Sequence, residues 1–218
     1  MDKAVKGWLI GLVGLNGCGF LIALVVVFVA IGMLYPSSAP ANENGGSGTG
    51  GGDLAEYDSM TAAQIKTFLI KKRSPFVTMA ENEGSDVGVE IASATEEFKI
   101  NPAFMLGIFG IESTFGTAYG GDNLSVDNKN PGNTKMGAGG QYAEYNLGII
   151  GHDSQGHTIF SSTKEGWRGM AATLRVQFLD RNQCTTIECI ASTYLTGNKD
   201  NWVRAVKQFM EEALNTKV

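Results

Sequence analysis

The sequence predicts a mainly α fold: a helical domain carrying a small glycine-rich lobe of loops and β-hairpin, preceded by one N-terminal transmembrane helix. Three observations carry that reading. Residues 1–35 hold only Asp2, Lys3, Lys6 and Asn16 as strongly polar side chains. After residue 54, apolar side chains recur three and four apart, the spacing that lines one face of a helix. Between about Gly116 and Phe160 this periodicity gives way to Gly, Asn, Asp and Ser, the residues of turns and loops.

The stretch from Trp8 to Tyr35 is about 28 residues, long enough to cross a bilayer with some tilt, and an aromatic ring marks each end. Lys3 and Lys6 precede it and no further base occurs before Lys66, which puts the amino terminus in the cytoplasm and the remainder outside. Ala39-Pro40-Ala41 has the small-x-small form of a signal-peptidase site, but the apolar run before it exceeds an ordinary signal-peptide core. Leu15-Asn16-Gly17-Cys18 loosely resembles a lipoprotein box, yet hydrophobicity continues through Leu34, where a mature lipoprotein turns polar. An uncleaved anchor over 1–35 fits best. Residues 36–53 contain the run Gly45-Gly46-Ser47-Gly48-Thr49-Gly50-Gly51-Gly52 and read as a flexible tether. No strand precedes that run and no Gly-Lys-Ser/Thr follows it, so it is not a phosphate-binding loop.

The domain proper spans 54–218. Thr61 and Gln64 form a capping box that opens a short helix through Ile65, Phe68 and Leu69. Ser85 caps a second helix, whose apolar surface is Val89, Ile91 and Phe98. Asn101-Pro102 opens a third, because proline at the first helical position lacks only a hydrogen that would be unpaired anyway. This third helix is apolar on nearly all sides and therefore central to the core. Gly116 and Gly120-Gly121 end it. In the lobe that follows, Tyr142 to Ile150 reads as a strand within a hairpin. Helices resume with Trp167, Met170, Leu174 and Phe178 on one face. A short turn near Ile187 to Leu195 then leads to a last helix bearing Trp202, Val206, Phe209 and Leu214. Trp167 and Trp202 read as core.

The 218 residues have a net charge of −5 and no basic stripe, which argues against a nucleic-acid partner. Outside the anchor there are two cysteines, Cys184 and Cys189, and an exported domain can join them as a disulfide. Closing so short a loop stabilises by about 2 kcal/mol. Two cysteines lack the second pair a zinc site needs, and neither has the surroundings of a nucleophile. His152 and His157 flank Asp153 in a glycine-rich loop without a spacing that aims both inward, so neither metal nor cofactor is expected.

Chemistry concentrates at Glu112. It is the one charged side chain between Lys99 and Asp122, in Phe104-Met105-Leu106-Gly107-Ile108-Phe109-Gly110-Ile111-Glu112-Ser113-Thr114-Phe115-Gly116. An apolar setting disfavours the ionised carboxyl and raises its pKa. A carboxylic acid still protonated near neutrality can pass its proton to a leaving-group oxygen, the task of the general acid in glycoside hydrolysis. Such an acid usually has a second carboxylate, for which Asp122, Asp127, Glu144 and Asp153 are candidates. Glu144 stands out because Tyr142 and Tyr145 flank it, and their rings could pack on sugar faces.

The Phe104–Gly116 segment resembles the end of the catalytic helix in the lysozyme-like superfamily, where a Glu-Ser pair precedes an aromatic-glycine turn. Within that superfamily it is most similar to the endo-β-N-acetylglucosaminidase family of bacterial and phage cell-wall hydrolases. Asn130-Pro131-Gly132-Asn133 occupies the place of the family's asparagine-glycine loop, commonly Asn-Leu-Phe-Gly. Phe160-Ser161-Ser162-Thr163-Lys164-Glu165-Gly166-Trp167 resembles its hairpin exit. Tyr194-Leu195-Thr196-Gly197 with Asn201-Trp202 resembles its closing tyrosine segment. The resemblance covers roughly Thr61 to Leu214. It implies an α+β lysozyme-like domain with Glu112 as proton donor and Glu144 as second catalytic carboxylate. It also implies that Ser113, Asn130, Asn133, Tyr142 and Tyr194 contact substrate. The function so implied is a membrane-anchored hydrolase of the peptidoglycan β-1,4 backbone, probing glycan strands near the membrane that its N-terminal helix crosses once. Either Glu144 activates water, or the substrate's own N-acetyl group attacks. Muramidase or lytic transglycosylase chemistry, and a glycan-binding module without turnover, stay open as alternatives.

Overall fold

The computed structural model describes residues 60–117, 124–137 and 141–218, all within one compact unit, Thr49–Val218. The anchor expected over 1–35, the tether over 36–53, and Gly120, Gly121 and Asp122 lie outside the described residues. Among the described residues, no helix is long and apolar enough to cross a membrane. The fold is mainly helical.

Helix α1, Ala62–Lys71, opens on the complete capping box: the Thr61 hydroxyl accepts from the Gln64 amide while the Gln64 side chain accepts from the Thr61 amide. A second helix that the sequence reading passed over, α2 (Pro75–Asn82), starts with proline in its first turn after Ser74. Helix α3, Val87–Phe98, is capped by Asp86 and not by Ser85. The Asp86 carboxylate accepts from the Gly88 and Val89 amides at 2.9 and 3.2 Å, and a cap of this kind contributes about 1 kcal/mol. Helix α4, Pro102–Ser113, begins as expected, with the Asn101 side chain accepting from the Phe104 amide at 3.2 Å.

Helix α4 is the axis of the core, with every residue from Pro102 to Gly110 buried. Around it Phe68, Phe76, Phe109, Phe115, Trp167 and Phe209 meet mostly edge to face, at centroid separations of 4.9–5.6 Å. The last helix packs closely on α4 because Gly110 carries no side chain. A Cβ there would come within 2.6 Å of the Phe115 ring and 2.7 Å of the Phe209 ring. The Lys72 ammonium stands 5.1–5.4 Å from the centroids of Phe68, Phe115 and Phe209 and also pairs with Glu212, joining α1 to the carboxy-terminal helix.

The lobe holds a short helix, α5 (Leu124–Asp127), a 3₁₀ turn over Ala143–Tyr145 and a two-stranded antiparallel sheet. Strand β1, Ile149–His152, pairs with β2, Thr158–Phe160, through a bulge between Ile149 and Gly151. The strand expected from Tyr142 is thus confined to its last residues. Asn146 and Gly148 take left-handed backbone conformations, φ 47° and 58°, which break an extended run. Arg168 holds the Tyr145 and Asn146 carbonyls in that shape. The lobe is pressed onto α6 (Thr163–Thr173), where a Cβ on Gly166 would lie 1.8 Å from the Lys129 carbonyl oxygen.

Helix α6 continues into a π-helical segment, Leu174–Arg181, across which Arg175 pairs with Asp180 at 2.9 Å. The turn expected near Ile187 is a two-turn helix, α7 (Ile187–Tyr194), because the Thr186 side chain caps it by accepting from the Cys189 amide. Cys184 and Cys189 are joined by a disulfide. Helix α8, Lys199–Leu214, buries Trp202 and Val206, whereas Leu214, in its final turn, is exposed.

Candidate active site

Glu112 sits in the last turn of α4, and local backbone geometry stops the helix immediately after it. Thr114 and Phe115 are both left-handed, φ 50° and 57°. That conformation is unusual for a bulky aromatic residue, and it is held by burial of the Phe115 ring among Phe68, Phe109 and Phe209. Ser113 completes the stop. Its hydroxyl donates to the Phe109 carbonyl at 3.1 Å and accepts from the Gly116 amide at 3.1 Å.

The Glu112 carboxyl accepts a hydrogen bond from the Tyr194 hydroxyl at 3.1 Å, 82 positions further along the chain. Burial pushes the Glu112 pKa up to about 7, against the downward pull of the tyrosine hydrogen bond. Burial, the Glu112 charge and the shared hydrogen bond raise the Tyr194 hydroxyl above its ordinary value, so it stays a donor. Glu112 as a whole is half-buried and Tyr194 keeps 47% of its surface exposed, yet desolvation dominates both groups. Both groups therefore touch solvent while packed protein crowds their polar atoms. Tyr194 is itself oriented by two rings, Phe178 at 6.0 Å and Trp202 at 6.3 Å between centroids.

No known family model matches this chain, and no curated protein matches it either. Among the remaining site candidates, Asn133 reaches Glu112: its Nδ2 donates to the Glu112 main-chain carbonyl at 3.1 Å. Asn130, expected to contact substrate, is 0% exposed. Its amide donates to the carbonyls of Thr134 and Thr158 and accepts from the Thr134 amide and hydroxyl, so it stitches the loop to β2 and has no group left for a ligand. Ser113, at 3% exposure, has its hydroxyl occupied by the helix end. Tyr142 is buried and does not offer a ring face.

Glu144 is exposed on the 3₁₀ turn, beside the Tyr145 hydroxyl, and forms no interaction with Glu112 or Tyr194. Asp127 is exposed at the end of α5. Asp153 is a structural carboxylate: it accepts from the Gln155 and His157 amides, Asn128 and His157, which together hold its pKa far below the usual range despite burial. His152, exposed at the end of β1, contacts the Met136 carbonyl at 2.6 Å, whereas His157 is buried against Asp153. Among the described residues, no cluster of three His, Cys, Asp or Glu side chains could hold a metal ion.

One buried carboxyl escaped the sequence reading. Glu90 is 3% exposed, and burial raises its pKa. Its Oε1 lies 3.0 Å from the Thr163 hydroxyl, which also contacts Glu83 at 2.8 Å. One hydroxyl proton cannot serve two carboxylates, which favours a neutral Glu90. The signal was present: Glu90 falls on the stripe of Val87, Ile91 and Ala94.

Proposed function

We propose that this chain is a membrane-anchored peptidoglycan hydrolase with a lysozyme-like domain, cleaving the β-1,4 glycan backbone as an endo-β-N-acetylglucosaminidase. The observation that carries the reading is a half-buried glutamate at the end of an apolar helix, its pKa raised to about 7, in hydrogen-bond contact with a tyrosine. At neutral pH such a group is poised between donor and acceptor, which suits general acid catalysis. Glu112 gives its proton to the glycosidic oxygen as positive charge develops on the sugar ring, and Tyr194 steadies the carboxylate that remains.

A second reading, lytic transglycosylase or another route with internal attack, is favoured by one specific feature. Among the described residues, Tyr194 is the polar side chain on the Glu112 carboxyl, and Glu144 is engaged elsewhere. With a single acid, the substrate's own acetamido oxygen or hydroxyl supplies the nucleophile, and Glu112 acts afterwards as base. Zymography of the full-length chain on gels containing cell walls tests the activity, with Glu112→Gln expected to abolish clearing while wall pelleting survives. Clearing by Glu112→Gln at the parent's rate overturns the acid assignment; pelleting without clearing by the parent favours a glycan-binding module. Mass analysis of released muropeptides separates the routes, because internal attack by a muramic hydroxyl leaves a product one water lighter.

A further inference from the structure

Asn133 is an expensive choice for its position. Its backbone is left-handed, φ 46°, where glycine is free of strain and asparagine merely tolerated. A main-chain carbonyl can only accept, so the contact with Glu112 fixes Nδ2 outward and leaves Oδ1 inward. Among the described residues, that buried Oδ1 has no hydrogen-bond partner. A buried acceptor without a donor is destabilising, so some other contact must favour asparagine here. What the side chain secures in return is one bond, to the main chain of the acid, at the point where α4 unwinds into the left-handed pair Thr114-Phe115.

The loop that carries Asn133 is rigid on its other side. Asn130 locks it through four hydrogen bonds to Thr134 and Thr158, the Thr158 amide donates to the Thr134 carbonyl at 2.9 Å, and the Thr158 hydroxyl accepts from the Met136 amide at 2.8 Å. Strand β2 therefore fixes the loop, and from the loop the Asn133 amide reaches α4.

We propose that Asn133 is a positioning residue: its Nδ2 clamps the Glu112 carbonyl to the hairpin lobe and so sets where the Glu112 side chain stands beneath the Tyr194 hydroxyl. It acts through the acid and not on the sugar. Its consequence for turnover rests on the hydrolase reading; the positioning itself does not.

The test uses the full-length chain in detergent micelles, with ¹³C-labelled glutamate carboxyls titrated by NMR and the Glu112 signal assigned by its loss in Glu112→Gln. Asn133→Gly accepts the left-handed backbone and removes the amide. Asn133→Ala removes the amide without adding a charge beside the acid. In both, the freed helix end lets the carboxyl relax toward water, and the Glu112 midpoint falls by about one unit or more. On cell walls kcat drops about ten- to hundredfold with KM near the parent's, the mark of a misplaced group and not of lost binding. Glycine also removes the orphaned acceptor, so thermal stability is not lowered along with activity. Midpoints within about 0.3 unit of the parent in both variants overturn the proposal. A parent that titrates near 7 but releases no muropeptides refutes the hydrolase reading alone, and the variants' midpoints still decide the role of Asn133.

Discussion

Replacing Glu112 by glutamine should stabilise the fold, and only above acidic pH. The wild-type carboxyl moves from an ordinary 4.5 to about 7 on folding, because burial disfavours its charge. Below the lower value both states hold the proton and the site carries no penalty. Between the two values the folded state must either keep a proton or bury a charge, so stability falls as pH rises, and the full penalty is present above about 7. A shift of this size corresponds to about 3 kcal/mol at about 1.4 kcal/mol per unit, reduced to about 2 kcal/mol because the group keeps solvent contact. Glutamine retains the acceptor for Tyr194 and does not ionise. Thermal unfolding of the full-length parent and Glu112→Gln, at about pH 4 and about pH 8, should give equal midpoints in acid. At the higher pH the variant should melt about 4–8 °C above the parent. An identical difference at both pH values would refute the claim that burial of a titrating carboxyl governs this site.

Tyr194→Phe removes the one hydrogen bond that pulls the Glu112 pKa down, so the midpoint of Glu112, and with it the alkaline limb of the pH–rate profile, should move upward while overall turnover falls. A limb displaced to lower pH would contradict the assignment. Gly166→Ala places a methyl group 1.8 Å from the Lys129 carbonyl oxygen and should destabilise by about 2 kcal/mol or more in urea unfolding. Glu90→Gln should gain stability relative to the parent as pH rises, since burial raises the parent carboxyl's pKa in the folded state and that state then pays to ionise it. Paired denaturation curves in acid and in alkali read this directly.

The helical frame was legible because its signals are local. Thr61 with Gln64 and Asn101 with Pro102 announce helix starts whatever the rest of the chain does. Helix α2 was hidden because it has eight residues, too few to display a period, although Pro75 in its first turn marked it. Glu112 stood out because a lone charge in an apolar helix must have a reason. The surroundings of Ser113 and Asn130 were not legible, because a short polar residue near an acid looks the same on paper whether it faces a ligand or the backbone. Only the fold shows that Asn130 and Ser113 satisfy buried main-chain groups, and that two left-handed residues turn the Tyr142 segment away from a strand. Tyr194 was found through the order of motifs along the chain, since nothing local ties a residue in α7 to one in α4.

The tyrosine–glutamate contact bridges 82 positions of the polypeptide. A nascent chain emerging from the ribosome therefore exposes its acid long before the hydroxyl that partners it has been synthesised. Until α7 and α8 arrive, Phe209 and Trp202 are also missing, so neither the helix end nor the tyrosine has its backing. Assembly of the reactive pair is in this way postponed until α7 and α8 have been synthesised, a delay built into the connectivity itself.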